Sequence, residues 1–146
     1  MGDRPTPLLQ RSIRTLAWLG DAEFEREVRI RLALRGDYPT ERLDAYKARI
    51  VCAEGQARLL ASIEDALTEP EQAVVRRGRN ASLKPAGRSQ RNTRAYRAAT
   101  GLEALLAFWA YGSANDRSRF DELVLPRLDA MIDATIAELG RRPRRG

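Results

Sequence analysis

Two carboxylates stand in unusually apolar surroundings in this sequence. Asp21 follows Gly20 in "LAWLGDAEFEREVR", where an apolar run changes into a charged one, and Glu103 is the single charge in "ATGLEALLAFW". Because a buried carboxylate is costly without a compensating cation or hydrogen bonds, two such acids on separate helices could meet in one cleft. There they could share a divalent metal such as Mg²⁺, which prefers oxygen ligands. Taken singly, each acid is more often a salt-bridge partner of an arginine, or a solvated residue.

A block of positive charge separates the two acids in sequence. From Ala73 to Leu102 there is no acid but eight basic residues, and the tail "RRPRRG" adds four more, although the formal net charge is only +6. Guanidinium groups bind phosphates bidentately, so the block favours a polyanion such as nucleic acid as partner. A solvated charge run is the alternative, and it suits the tail better than the central block. The candidate nucleic-acid-binding residues are Arg76, Arg77, Arg79, Asn80, Lys84, Arg88, Arg91, Arg94 and Arg97.

The composition excludes several kinds of chemistry. There is no histidine and Cys52 is the only cysteine, which excludes internal disulfides, zinc clusters, cysteine–histidine nucleophile pairs and histidine acid–base catalysis. The remaining residue types allow a metal-activated water to attack a phosphodiester. No apolar run is long enough to span a membrane and no signal peptide is evident, so we expect a cytoplasmic protein with no membrane partner.

The apolar spacing predicts an all-α protein with one domain over residues 1–146, a core at about 8–139 and a disordered basic tail at 140–146. A stripe from Leu43 to Leu60 predicts one long helix with Thr40 as its N-cap. A short helix is expected at 71–77, an arginine-rich loop at 78–92, a helix at 93–111, and a last helix that ends at Gly140. Gly20 is expected to leave room for a close neighbour or for RNA.

The segments "LAWLGDAEFEREVR", "ARIVCAEGQAR", "VVRRGRNAS" and "YRAATGLEALLAFWAYG", in this order and spacing, resemble the Mini-III ribonucleases, which are small members of the ribonuclease III family. The resemblance covers roughly residues 16–112. It implies an all-helical endonuclease domain that acts as a homodimer, cuts double-stranded RNA with Mg²⁺, with Mn²⁺ as a substitute, and has no separate RNA-binding domain. It implies that Asp21 and Glu103 are the catalytic, metal-binding acids and that the basic loop reaches RNA. The implied substrate is a large-subunit ribosomal RNA precursor, with a large-subunit ribosomal protein as a further partner.

This sequence also departs from the longer relatives. Full-length ribonuclease III enzymes have further acids where this chain has Arg14, Ala17 and Thr100. The missing acids leave open a catalytically silent RNA-binding or ribosome-assembly protein with the same fold. A helical DNA-binding protein is a third alternative, which explains the charge but leaves Glu103 unexplained.

Overall fold

Residues 7–81 and 93–140, which the computed structural model describes, form seven α-helices and no strand. The all-α prediction is therefore confirmed. None of the helices in these residues is long and apolar enough to span a membrane. Lys84, Arg88, Arg91 and the basic tail from 141 onward lie outside the described residues. The helices are α1 (Ile13–Arg35), α2 (Thr40–Val51), α3 (Ala53–Ile63), α4 (Glu69–Ala81), α5 (Thr93–Ala110), α6 (Ala114–Arg119) and α7 (Leu125–Gly140).

Helix α5 is the centre of the molecule. It packs against α1, α3 and α4, and its apolar side chains, including Leu102, Leu105 and Trp109, are at most 1% exposed. Its bounds agree with the helix predicted at 93–111. Short 3₁₀ turns lie at Pro7–Gln10 and Glu64–Ala66, and a π-helical turn at Phe120–Val124 joins α6 to α7. A helix surrounded by other helices is apolar on most sides, so any charge that α5 carries requires a specific explanation.

The long helix predicted from the Leu43–Leu60 stripe is two helices, and that prediction is wrong at its centre. Cys52 adopts an extended conformation between α2 and α3, and its Sγ accepts a hydrogen bond of 3.4 Å from the Gly55 N–H. Gly55 makes the tight join possible, because a Cβ there would lie 2.2 Å from the Ile50 carbonyl oxygen. Thr40 is the first residue of α2 rather than its N-cap.

The break also changes which face of α3 is buried. A continuous helix would have buried Ala53 and Ala57, and both are only half-buried. The residues that α3 buries are Gly55, Gln56, Leu59, Leu60 and Ile63. The break therefore turns a polar side chain, that of Gln56, into the interior.

Helix α4 is longer than predicted. It continues to Ala81, so residues 78–81 are helical and their assignment to a loop is wrong. Gly78, which we expected to end the helix, instead lies against α5: a Cβ at Gly78 would be 2.7 Å from the Gly101 Cα. The glycine serves a close helix contact here and does not break the periodicity.

A buried carboxylate joins α4, α5 and α6. Glu71 is 3% exposed, and it accepts hydrogen bonds from Trp109 Nε1 at 2.7 Å, from Arg119 Nη2 at 2.8 Å and from the Thr68 N–H at 2.8 Å. Burial raises the pKa of Glu71, but the hydrogen bonds from Arg119, Thr68 and Trp109 outweigh it and lower the pKa to about 2. This acid is fully used in stabilising the fold.

Candidate active site

Asp21 and Glu103 meet where α1 crosses α5. A Cβ at Gly20 would lie 1.7 Å from the backbone oxygen of Glu103, so only a glycine allows the two helices to approach this closely. The next residue, Asp21, shares a side-chain hydrogen bond with Glu103. The expectation that Gly20 leaves room for a close neighbour is confirmed, and the neighbour is the backbone that carries the second acid.

The two acids lie in an open cleft of about 360 Å³. Asp21 is on its exposed side and Glu103 is half-buried. Trp18, one turn before Asp21 on α1, is 73% exposed at the cleft. The side chains around the cleft come from α1, the end of α4 and α5: Arg14, Ala17, Trp18, Asp21, Ala81, Tyr96, Thr100 and Glu103.

The electrostatics of the site centre on Glu103. Burial, and then the hydrogen bond and the negative charge of Asp21, raise the pKa of Glu103 to about 8. The amide of Gln56, which lies close to Glu103, acts in the opposite direction. At neutral pH the pair therefore carries less than its full negative charge, and a cation between the two carboxylates would relieve their repulsion.

This donor set suits a hard divalent cation. Mg²⁺ commonly binds proteins through one or two carboxylates and keeps several of its waters, and Asp21 and Glu103 supply two carboxylates beside an open cleft. Within residues 7–81 and 93–140, no cluster of three or more histidine, cysteine or acidic residues could hold a metal. A site with two protein ligands fits Mg²⁺ or Mn²⁺ better than zinc, which usually takes three or four protein ligands, mostly from histidine and cysteine.

The three positions where longer relatives have acids line the same cleft. Ala17 offers no ligand, and the Thr100 hydroxyl donates a hydrogen bond of 3.0 Å to the Tyr96 carbonyl oxygen. Arg14 donates from Nη2 to the carbonyl oxygen of Ala81, 2.8 Å away, at the end of α4. The cleft thus has a cation where an acid is expected, which favours an anionic ligand.

The predicted nucleic-acid-binding residues fall into two groups. Arg76, Arg77 and Asn80 on α4 and Arg94 on α5 are exposed. These four exposed side chains, called the basic surface below, lie on α4 and α5, the two helices between which residues 82–92 fall in sequence. Their contact with RNA stays a prediction.

Arg79 and Arg97 belong to the second group, since both have partners within the protein. The Arg79 guanidinium forms a salt bridge with Glu64, and Arg97 Nε donates to the Arg79 carbonyl oxygen at 3.2 Å. Both side chains are half-buried. They therefore hold α4 against its neighbours, which limits what they can contribute to binding RNA.

Sequence reasoning missed Gln56 at this site. It has no charge, and although it lies in "ARIVCAEGQAR", one of the segments that carry the family resemblance, nothing there distinguished it from its neighbours. It is buried because the chain breaks at Cys52. The one signal in the sequence was Gly55, a poor residue for a helix interior.

Comparison with known proteins supports the family. Residues 14–113 match the family model of the ribonuclease III domain. Proteins named Mini-ribonuclease 3 are similar to this chain: that of Symbiobacterium thermophilum is 47% identical, with 64% of this chain and 72% of that protein covered. That of a Synechococcus species is 43% identical, with coverage of 73% and 78%.

A solved structure supports the fold. The crystal structure of a protein from Fusobacterium nucleatum superposes with a TM-score of 0.68 and 24% identity, covering 84% of this chain and 92% of that one. At this identity the likeness concerns the fold alone, and it agrees with the all-α architecture. Family model, relatives and fold together show that the chain belongs to the ribonuclease III family, within its Mini-ribonuclease 3 group.

Proposed function

We propose that this protein is an endoribonuclease that cleaves double-stranded RNA in a Mg²⁺-dependent reaction, with Asp21 and Glu103 as its catalytic acids. Membership of the ribonuclease III family supports the endoribonuclease activity. The observation that carries the assignment of the site is the contact of Gly20 with the Glu103 backbone. It brings together two acids that are distant in sequence and places them in an open cleft.

In this mechanism Asp21 and Glu103 would hold Mg²⁺. When bound, the ion would supply an activated water and neutralise charge on the phosphodiester. Burial and Asp21 raise the pKa of Glu103 in the metal-free protein, and Glu103 would bind the cation in its ionised form, which the charge of the cation favours. Arg14 at the cleft favours the phosphate. Hydrolysis of the P–O3′ bond leaves a 5′-phosphate and a 3′-hydroxyl end.

RNA binding rests on the basic surface of α4 and α5. Exposed arginines such as Arg77 and Arg94 can contact the phosphates of an A-form duplex, which is recognised mostly by its shape and its 2′-hydroxyls. We propose that Lys84, Arg88 and Arg91 take part as well. Most of the affinity is then electrostatic and falls steeply with salt.

We further propose that the enzyme acts in the cytoplasm as a homodimer on a large-subunit ribosomal RNA precursor. Two copies of the site are needed to cut two strands, which supports the dimer. A large-subunit ribosomal protein that shapes the RNA is a candidate partner, as the resemblance to the Mini-III ribonucleases implies. Light scattering tests the dimer, and cleavage of precursor RNA with and without the ribosomal proteins tests the partner.

A catalytically silent RNA-binding protein is the second candidate. It is favoured by one observation: Arg14, Ala17 and Thr100 line the cleft at positions where longer relatives have acids. Such a protein would bind duplex RNA through the same basic surface and leave it intact.

One experiment separates the two candidates. The purified protein is incubated at low salt with end-labelled double-stranded RNA, with Mg²⁺ or with EDTA, beside Asp21→Asn and Glu103→Gln. The controls are Asp37→Asn and Glu41→Gln, which make the same charge changes at exposed positions. Asp37 follows the end of α1, and Glu41 lies in the first turn of α2. We expect Mg²⁺-dependent cleavage by the parent and both controls, and a loss of at least about 100-fold in the two site variants.

The outcomes are distinct. Cleavage that survives both site substitutions would show that the acids are assigned wrongly. A parent that binds duplex RNA but cleaves none under these conditions would favour the silent protein.

A further inference from the structure

Two polar side chains are fully buried in the described part of the chain, Gln56 and Glu71, each 3% exposed. Glu71 uses both carboxylate oxygens in hydrogen bonds to Arg119 and its other partners. Gln56 is different, because its Oε1 is buried and has no hydrogen-bond partner within the described residues. Burying an unpaired amide oxygen costs free energy, so a hydrophobic residue would serve a purely structural role better.

The amide nitrogen of Gln56 is well placed. Nε2 donates a hydrogen bond of 3.0 Å to the Val51 carbonyl oxygen, across the break between α2 and α3. The same side chain lies close to Glu103 on α5, where its amide favours the ionised carboxylate and acts against the rise in the pKa of that group. Gln56 thus connects a backbone carbonyl at the end of α2 to the half-buried acid of the candidate active site.

The local fold is built to bring this amide inward. The extended Cys52 and the close approach of Gly55 to Ile50 rotate α3 relative to α2, and this rotation buries Gln56 in place of the alanines of the predicted stripe. This arrangement lowers the stability of the fold, because it buries an amide whose oxygen has no hydrogen-bond partner within the described residues. It is explained if the amide serves the site.

We infer that Gln56 is a positioning residue for metal-dependent cleavage: its amide, anchored on Val51, holds the Glu103 carboxylate in the orientation in which that carboxylate and Asp21 bind one divalent cation. The inference rests on the proposed function. Partners that orient a ligating carboxylate typically contribute about 10- to 100-fold to metal affinity or activity.

The test is Gln56→Met, which keeps the length of the side chain and removes the amide. The chain offers a control in Gln72→Met, because Gln72 Nε2 also donates to a carbonyl five residues earlier, that of Leu67, at 3.2 Å, although the Gln72 side chain is exposed and that of Gln56 is buried. Gln72 lies beside Glu64 and Arg76, away from the catalytic cleft. Three quantities are measured for each protein: Mn²⁺ affinity by electron paramagnetic resonance, melting temperature in EDTA, and kcat and KM for duplex RNA at several Mg²⁺ concentrations.

We expect Gln56→Met to bind Mn²⁺ at least about ten-fold more weakly than the parent, and to need more Mg²⁺ for half-maximal cleavage. Its kcat falls at fixed Mg²⁺ while KM for RNA is unchanged, and its melting temperature changes no more than that of Gln72→Met. Parental Mn²⁺ affinity and kcat in Gln56→Met would overturn the inference. So would a melting temperature far below that of Gln72→Met with parental Mn²⁺ affinity, which would show a structural role only.

The parent protein tests the proposed function independently of Gln56→Met. A parent that cleaves RNA while Gln56→Met equals it contradicts only the role of Gln56. A parent that neither binds Mn²⁺ nor cleaves RNA contradicts the proposed function, and the role of Gln56 with it.

Discussion

Replacing Glu103 with a residue that cannot ionise should change how the free energy of unfolding depends on pH. In the metal-free protein, burial and the neighbouring Asp21 raise the pKa of Glu103 to about 8 from its ordinary value of 4.5. A carboxyl whose pKa is raised by folding binds its proton more tightly in the folded state. Its contribution to stability is therefore complete below about pH 4.5 and is lost as pH rises toward 8.

The magnitude follows from the shift. Each pKa unit corresponds to about 1.36 kcal/mol, so the free energy of unfolding that Glu103 controls falls by at most about 5 kcal/mol between pH 4.5 and pH 8. Glu103→Gln cannot ionise and should lack this fall. The variant is therefore expected to be more stable than the metal-free parent at pH 8, although it loses activity. Such a trade-off is typical of functional sites.

The assay is urea unfolding in EDTA at intervals from pH 5 to pH 8.5, for the parent, Glu103→Gln and the control Glu41→Gln. The difference between the parent and Glu103→Gln should grow steadily with pH, and Glu41→Gln should follow the parent. Mg²⁺ should stabilise the parent more at pH 8 than at pH 5.5, because cation binding and protonation compete at Glu103. Parallel curves for the parent and Glu103→Gln would refute the raised pKa of Glu103.

Three further predictions concern the fold and the basic surface. Gly20→Ala should lower the free energy of unfolding by about 3 kcal/mol and abolish Mn²⁺ binding, since the added Cβ would meet the Glu103 backbone at 1.7 Å. The control Gly140→Ala, whose Cβ would meet nothing within 4 Å, should leave the melting temperature unchanged, and a Gly20→Ala variant as stable as this control would contradict the close contact. Glu71→Ala should reduce the free energy of unfolding by about 3 kcal/mol in urea unfolding, because the half-buried Arg119 loses its carboxylate and Trp109 Nε1 loses its buried acceptor; a loss under about 1 kcal/mol would contradict this role. Arg77→Ala should weaken RNA binding at low salt and reduce the slope of log affinity against log salt by about one, and an unchanged slope would place the phosphate contacts elsewhere.

Much of this fold could be predicted because its signals are local. Apolar periodicity and small residues define α5 from Thr93 to Ala110 almost as predicted. The pairing of Asp21 with Glu103 was also foreseeable, since Glu103 stands within an apolar run, Asp21 stands at the end of one, and each acid needs a partner. A glycine directly before one of them indicated a close approach of helices.

The parts that could not be predicted depend on contacts between distant segments. Gly78 could end a helix or pack against one, and only the position of Gly101 decides between these. The break at Cys52 likewise depends on how closely Gly55 can approach Ile50. The burial of Gln56 follows from that break. Neither its residue type nor its position in the apolar pattern could therefore indicate that it lies beside Glu103.

The most direct test of the account is a double-mutant cycle on the two acids. The rate constant kcat/KM for duplex RNA is measured with saturating Mg²⁺ for the parent, Asp21→Asn, Glu103→Gln and the double variant. If the acids form one metal-dependent centre, either substitution removes nearly all the activity and the double variant is no worse than the single ones. Losses that multiply in the double variant would contradict a shared centre.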